Sequence, residues 1–355
     1  MTHQRKPVVF AVAARTNLCV LLACCACTLS VHADENTITR PVGEDGGPTP
    51  IYVAMGLLDV DEIDGAAQSF TVNLYLNIRW FDPRLKHSGP GHHVLPLHEV
   101  WHPQLLFVNQ QKIWPTFPEV VHVKPDGEVE YRQRVWGPFS QPLEVHDFPF
   151  DTQDFEIRLA SAGETADDIT YQADPENQSG LAERFSLPDW RVLSWELDFT
   201  LYKPMGSREG IASFALIFHA RRYASHYVVK VIVPLIFIVA MSWIVFWVDP
   251  TESGTQIGVA TTAMLTLIAY RFMVGGHIPI VPYLTRMDIF ILGSTILVFT
   301  ALAQAVITSL MAHREKVVLA KKVDVWCRFI FPTMFVLILI FSFFCEHPSV
   351  FREYV

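Results

Sequence analysis

From Asp34 to Arg222 the sequence has no cysteine at all. A domain of that length must hold together without a disulfide, and no thiolate-based zinc site can form inside it. The six cysteines fall elsewhere: Cys19, Cys24, Cys25 and Cys27 near the start, Cys327 and Cys345 in the last apolar segment. Positive charge is scarce in the same stretch. Residues 34–222 carry 29 Asp and Glu against 15 Lys and Arg, a balance of −14 where the whole chain has −9. That balance argues against a nucleic-acid partner and concentrates cations around the domain. No phosphate-binding loop or nucleophile-plus-base arrangement occurs either, so no enzyme activity and no cofactor are expected.

What the sequence has in quantity is apolar residues, 51% of 355, distributed in two ways. Within 34–222 they alternate. Phe70, Val72, Leu74, Leu76, Ile78 and Trp80 interleave with polar neighbours, as do Phe155, Ile157 and Leu159, Trp195, Leu197, Phe199 and Leu201, and Phe214, Leu216 and Phe218. Period-two alternation marks half-buried strands, and Pro125-Asp126-Gly127 marks a hairpin. Many short strands with turn signals predict a β-sandwich. After Arg222 the apolar residues run together, predicting four membrane helices at about 227–248, 255–275, 287–311 and 325–345. Pro234 and Pro332 are expected near span ends.

The first 33 residues read as a secretory signal: Arg5, Lys6 and Arg15 precede the apolar run Leu18–Leu29, and Val31-His32-Ala33 follows. Leu21-Leu22-Ala23-Cys24 leaves open a lipoprotein signal. Export of 34–222 agrees with the charge of the third connection. There Arg314, Lys316, Lys321 and Lys322 outnumber Glu315 and Asp324, which places that connection in the cytoplasm.

The second span carries an unusual line. Steps of three and four residues join Thr255, Gly258, Thr262, Leu265, Ala269, Phe272 and Gly276 on one face of a helix. Small and hydroxyl-bearing residues at membrane depth line water, because hydrocarbon cannot solvate them. They also suit close helix packing, and the stripe alone leaves both readings open.

Several motifs in order are similar to a known family. Trp80-Phe81-Asp82-Pro83-Arg84-Leu85 resembles W-x-D-x-R-L, Trp101-His102-Pro103 resembles W-x-P, and Phe148-Pro149-Phe150-Asp151 resembles F-P-F-D. Ser242-Trp243, Phe246-Trp247, Pro279 and Pro282-Tyr283 extend the match into the spans. On these motifs the chain resembles the pentameric ligand-gated ion channels of the Cys-loop receptor superfamily. It resembles their bacterial form, because the cysteines flanking F-P-F-D are absent. The resemblance implies an immunoglobulin-like β-sandwich ectodomain (34–222) on a four-helix transmembrane pore domain (223–355). It further implies a homopentamer in membrane lipid of the bacterial inner membrane, with the sandwich in the periplasm.

The resemblance also implies roles. Leu265 becomes a hydrophobic gate and Phe272 a second constriction, with Thr255, Gly258, Thr262 and Ala269 lining the rest of the pore. Glu252 stands at the inner mouth. With the acidic outer domain it favours monovalent cations, although Ile257-Gly258 and Thr261-Thr262 leave an anion-selective channel as the alternative. Coupling falls to an Asp151–Arg222 ion pair joined by Asp61, Glu62 and Asp64, acting on the loop that contains Pro279 and Pro282. The agonist, a small molecule or protons, would sit between subunits against Phe107, Asn109 and Tyr202 on one face and Tyr75 and Arg79 on the other. His87, His92, His93, His98 and His102 read either as a set modulated by protons or divalent ions, or as a solvated Gly/Pro-rich loop. A membrane-anchored periplasmic sensor or enzyme is the rival reading, and a transporter a third.

Overall fold

The structure is a computed structural model describing residues 38–42, 46–206, 209–275 and 281–345. The expected signal segment, Gly276 and Pro279 lie outside the described residues.

Among the described residues twelve strands build two sheets. In the larger, β1 (Thr49–Asp64), β2 (Ser69–Phe81), β7 (Glu128–Ser140), β6 (Val120–Val123) and β3 (His93–Pro96) lie in that order, and β10 (Gly180–Leu181) flanks β1. The short β5 (Trp114–Pro115) and β9 (Ile169–Ala173) pair with β7 and β1. The smaller sheet runs β11 (Trp190–Asp198), β12 (Ile211–Arg222), β8 (Thr152–Thr165) and β4 (Leu105–Phe107). Alternation along β2 sends Phe70, Val72, Leu74, Leu76 and Ile78 inward, each at most 2% exposed. The β8 and β12 triplets Phe155, Ile157, Leu159 and Phe214, Leu216, Phe218 meet them with no exposure at all.

Where the sheets face each other, Phe70 packs on Phe139, Phe155 and Phe218, with centroids 5.1 to 5.9 Å apart. Burying each ring contributes about 1.5–3 kcal/mol. Four such rings outweigh the roughly 2–4 kcal/mol a disulfide would bring, which is how a cysteine-free sandwich of this size holds. The hairpin after β6 forms at Pro125-Asp126-Gly127, with Lys124 N donating to Glu128 O at 2.8 Å. Gly127 is required there: its φ is +95°, and a Cβ would stand 2.7 Å from Asp82 O.

Two expectations are corrected. The alternation expected to continue through Leu201 ends at Asp198, and Trp195 and Leu201 are exposed. β11 is an edge strand whose register slips between Val192 and Ser194, so its pattern does not report one buried face. The last helix starts at Val317 rather than near 325. Hydropathy marks only the apolar part of a helix, and here Lys321, Lys322 and Asp324 form a charged first turn or two. Pro332 therefore sits in the helix interior, not near its end, and Pro234 likewise lies well inside the span Ala224–Trp247.

Among the described residues four helices are long and apolar enough to cross a membrane: α1 (Ala224–Trp247), α2 (Ser253–Gly275), α3 (Arg286–His313) and α4 (Val317–Phe344). In α1 a π-helical turn, Val228–Ile232, precedes Pro234. A proline has no N–H to continue the ladder, and the wider turn absorbs the mismatch. Thr285 caps α3, accepting from Asp288 N while the Asp288 carboxylate accepts from Thr285 N.

Candidate pore and coupling site

The packed face of α2 consists of Gln256, Ala260, Ala263, Leu267, Tyr270 and Val274. Thr255, Gly258, Thr262, Leu265, Ala269 and Phe272 are all exposed. At 3.6 residues per turn they lie about 150° around the helix from the packed face. Leu265 is 66% and Phe272 84% exposed, so neither fills a space within its own bundle. Close packing inside one subunit is therefore not what the stripe does. The Thr262 hydroxyl donates to Gly258 O at 2.8 Å, which leaves its oxygen lone pairs turned outward as acceptors. Arg271, the sole charged side chain of α2, is exposed but falls off the stripe, at the border of the packed face. Glu252 is exposed just before the helix, its carbonyl accepting Gln256 N at 3.1 Å.

At the seam between sandwich and helices, Asp151 and Arg222 are 2% and 7% exposed. Arg222 Nε and Nη2 donate to the two carboxylate oxygens at 2.8 and 3.1 Å. Gln153 Nε2 donates to the same carboxylate at 3.1 Å. The guanidinium also lies 4.1 Å from the Trp190 ring centroid, 5.0 Å from Phe148 and 5.9 Å from Tyr227. A buried charge held by both a carboxylate and ring faces is fixed in place.

Asp61, Glu62 and Asp64 do not join that pair as expected. Asp61 accepts from Trp136 Nε1 at 2.5 Å, and Asp64 caps its own turn by accepting from Ala66 N and Ala67 N. Short side chains at a hairpin tip satisfy the nearest donors first. Asp61 and Glu62 instead line a cavity of about 1050 Å³ with Asp189, Tyr223 and Tyr227.

The seam contains residues the sequence reading missed. Tyr283 Oη accepts from Val145 N at 3.1 Å, and its ring stacks on His146 with centroids 3.7 Å apart. Arg286 N donates to His146 O at 3.0 Å, its Nε to Asp147 at 2.6 Å and its Nη1 to Phe343 O at 2.7 Å. The loop ending in Phe148-Pro149-Phe150-Asp151 is thus bonded to the start of α3 and, through Arg286, to the end of α4. Pro282 is exposed beside Tyr283. The signal for Tyr283 and Arg286 was their place on either side of Thr285, the residue that caps α3.

The residues expected at an agonist site are differently placed. Arg79 is 4% exposed. Its Nε donates to Asp174 at 2.7 Å and its Nη1 to Glu128 and Glu176 at 2.9 and 2.8 Å. Burial works to raise the Asp174 carboxyl, but the bonds from Arg79 and Asn177 outweigh it and hold the group well below the usual carboxylate range. Arg79 is spent within its own subunit. Phe107 packs edge-on to Phe139 at 5.7 Å in the core, and Asn109 brackets β8 by donating to Glu156 O at 2.7 Å. A residue flanking a core strand is claimed by packing first, which is why these three make their contacts within their own subunit. Tyr75, half-buried against Phe117, and Tyr202, paired with Ile211 across the hairpin, remain at the surface.

The histidines do not converge. His87 and His93 stack in parallel, 3.5 Å between centroids and 6° between planes, while His92 meets His122 edge-on at 6.4 Å. His98 is exposed, and His102 Nδ1 lies 3.2 Å from Val100 O. Stacked rings point their nitrogens alongside one another, and among the described residues no three His, Cys, Asp or Glu are grouped to hold a metal ion.

A β-sandwich bonded to four membrane-length helices, one with an outward hydroxyl-bearing line, defines a membrane receptor of the channel type. Family models agree: the neurotransmitter-gated ion-channel ligand binding domain matches residues 30–210, and the neurotransmitter-gated ion-channel transmembrane region matches 231–318. The chain belongs to the neurotransmitter-gated ion-channel family, whose members are ligand-gated channels and not enzymes. It is 24% identical over 278 residues to gamma-aminobutyric acid receptor subunit beta-4 of Gallus gallus, covering 73% of this chain and 54% of that one. It is 26% identical over 297 residues to glycine receptor subunit beta of Rattus norvegicus and of Homo sapiens, covering 78% of this chain and 58% of those. The chain spans little more than half the length of the curated relatives it matches.

Proposed function

We propose that five copies of this chain surround a pore lined by the α2 stripe, and that a ligand acting on the sandwich opens it. The exposure of Thr255, Gly258, Thr262, Leu265, Ala269 and Phe272, opposite the packed face of α2, carries the reading. Leu265 is the gate: five leucines converging on an axis expel water when the pore narrows, and a dewetted ring stops ions without plugging the pore. Phe272, about 10 Å further along at 1.5 Å per residue, forms the second constriction.

The pore favours monovalent cations. Outward threonine oxygens act as acceptors, Arg271 lies off the stripe, and Glu252 and the acidic sandwich add negative potential at both ends. The chain is the bacterial form, in the inner membrane with the sandwich in the periplasm. In support, no cysteine flanks F-P-F-D and α3 connects to α4 through three residues, Arg314 to Lys316. The agonist binds between sandwiches, where Tyr75 and Tyr202 remain at the surface.

Planar-bilayer recording of the purified protein tests the reading. Unitary currents reversing near the cation equilibrium potential are expected. A reversal potential that follows chloride overturns the selectivity. The absence of unitary current, with stripe cysteines inert to water-soluble thiol reagents in every state, overturns the pore.

A further inference from the structure

Several hydroxyls in the helix bundle are spent on their own helix: Thr295, Thr308 and Thr333 donate to carbonyls one turn back. Asp324 differs. It lies on α4, 2% exposed, and its Oδ1 accepts from Gln304 Nε2 on α3 at 2.6 Å. The other two heteroatoms of this joined pair, Asp324 Oδ2 and Gln304 Oε1, are both buried and have no donor. Two acceptors stranded in one pair are costly in an apolar bundle, far more so if one carries a full charge.

The charged groups around the pair do not supply the missing donor. Arg328, one turn along α4, gives its Nε to Phe246 O at 3.0 Å and lies over the Trp247 ring at 5.3 Å. Lys321 is 2.6 Å from Asp249, whose carboxylate adds a second negative charge from the α1–α2 connection. On α3, His313 Nδ1 sits 3.0 Å from Ser309 O. The Thr308 hydroxyl stands close enough to Asp324 to act on its carboxylate, but its hydrogen bonds run to Gln304 O and Ala305 O at 3.1 and 3.2 Å, which leaves Asp324 Oδ2 unpartnered. Cys327, one turn from Asp324 on the same helix, is buried and in no disulfide. No ion pair to Asp324 occurs among the described residues.

A single proton answers both orphan atoms. A neutral carboxylic acid donates its O–H to the amide oxygen while its carbonyl accepts the amide N–H, closing a ring of two hydrogen bonds. We propose that Asp324 is a proton-binding site inside the membrane bundle, held as the neutral acid in a two-bond ring with Gln304, and that losing the proton loosens α4 from α3. The site lies at the end of the bundle away from the sandwich, so it answers to proton concentration on that side. The proposal does not depend on ion conduction.

The test uses the full chain purified in detergent. In infrared difference spectra between neutral and alkaline pH, wild type should lose a protonated-carboxyl C=O band that Asp324→Asn lacks. An asparagine mimics the neutral acid, donating from one atom and accepting on the other. Asp324→Asn should therefore melt within a degree or two of wild type at neutral pH and abolish the alkaline-side loss of melting temperature, while Asp324→Ala and Gln304→Leu melt lower at every pH. An Asn variant that melts as low as the Ala variant overturns the proposal. So does a wild-type spectrum with no such band, which would give the gap to a water beside an ionised carboxylate. A melting temperature that depends on sodium rather than N-methylglucamine gives it to an alkali ion, with the same consequence. The wild-type band decides the matter even if the variants do not fold.

Discussion

Replacing Arg222 by Gln should cost more than replacing Asp151 by Asn, although the two residues form one ion pair. Removing the guanidinium leaves a carboxylate 2% exposed, with the Gln153 amide at 3.1 Å as its remaining side-chain donor. Breaking a buried pair from one side costs about 3–5 kcal/mol per subunit. Loss of the guanidinium's contact with Trp190 at 4.1 Å adds roughly 0.5–2 kcal/mol. Removing the carboxylate is milder, because Arg222 keeps three ring faces and has Asp189 at 4.0 Å. Asp151→Asn should therefore cost about 2–3 kcal/mol, at or below the low end of that range. The double variant Asp151→Asn/Arg222→Gln retains complementary amides and should cost less than the sum by about 2 kcal/mol. The charge swap Asp151→Arg/Arg222→Asp should fail to rescue, since it turns a carboxylate toward the negative faces of three rings. Denaturant titration followed by tryptophan fluorescence measures stability, with Trp190 reporting locally. Spontaneous current in a Leu265→Ala background measures coupling. Equal single costs below about 1 kcal/mol would refute the burial argument, and a swap that recovers wild-type stability would refute the ring cage.

Leu265→Ser should raise open probability without agonist at least tenfold, about 1.4 kcal/mol, read as leak in single-channel records; an unchanged closed state removes Leu265 from the gate. The Asp174 carboxyl in the folded sandwich sits below its unfolded value of about 3.9. Its stabilisation is thus fully present above that pH and lost as pH falls toward the folded value. Asp174→Asn should be less stable at neutral pH yet show a shallower acid transition below about pH 4, followed by circular dichroism. Tyr283→Phe keeps the stack on His146 but leaves Val145 N without its acceptor, costing about 1–3 kcal/mol. Tyr283→Ala removes the stack as well and should shift gating further, in the same recordings.

The sandwich was legible in the sequence because period-two alternation follows directly from strand geometry, as along Phe70–Trp80. The stripe on α2 was legible for the same reason at helical period. Motif position also placed Asp151 near Arg222. What the sequence hid were choices among partners. Nothing in 79 and 174, 95 residues apart, announces that Arg79 is closed inside a carboxylate cluster. Nor does the chain around Asp61 show that an indole N–H lies nearer than a guanidinium. Asp324 read as one charge in a cytoplasmic connection, because hydropathy averages cannot tell a solvated carboxyl from one folded under a helix.

The bonds of the seam suggest which helix moves the pore. The sandwich holds α1 through Arg222, two residues before it begins, and holds α3 through Tyr283 and Arg286. The proposed pore helix, α2, is tied to α1 at both ends. Tyr270 Oη donates to Val231 O at 2.5 Å, and Gln256 Nε2 to Val245 O at 3.4 Å. Val231 lies in the π-helical turn before Pro234, where the ladder is already one donor short. A displacement delivered at Arg222 reaches that turn first, and the Tyr270 hydroxyl carries it to α2 between the Leu265 and Phe272 levels. Tyr270→Phe should therefore leave the packed ring and assembly intact while weakening the transfer. The expected result is a normal pentamer peak on size exclusion, with at least fivefold lower open probability in the Leu265→Ala background, about 1 kcal/mol of lost coupling. Equal open probability with and without that hydroxyl would move the connection to α3, whose contacts with the loop would then have to drive the pore alone.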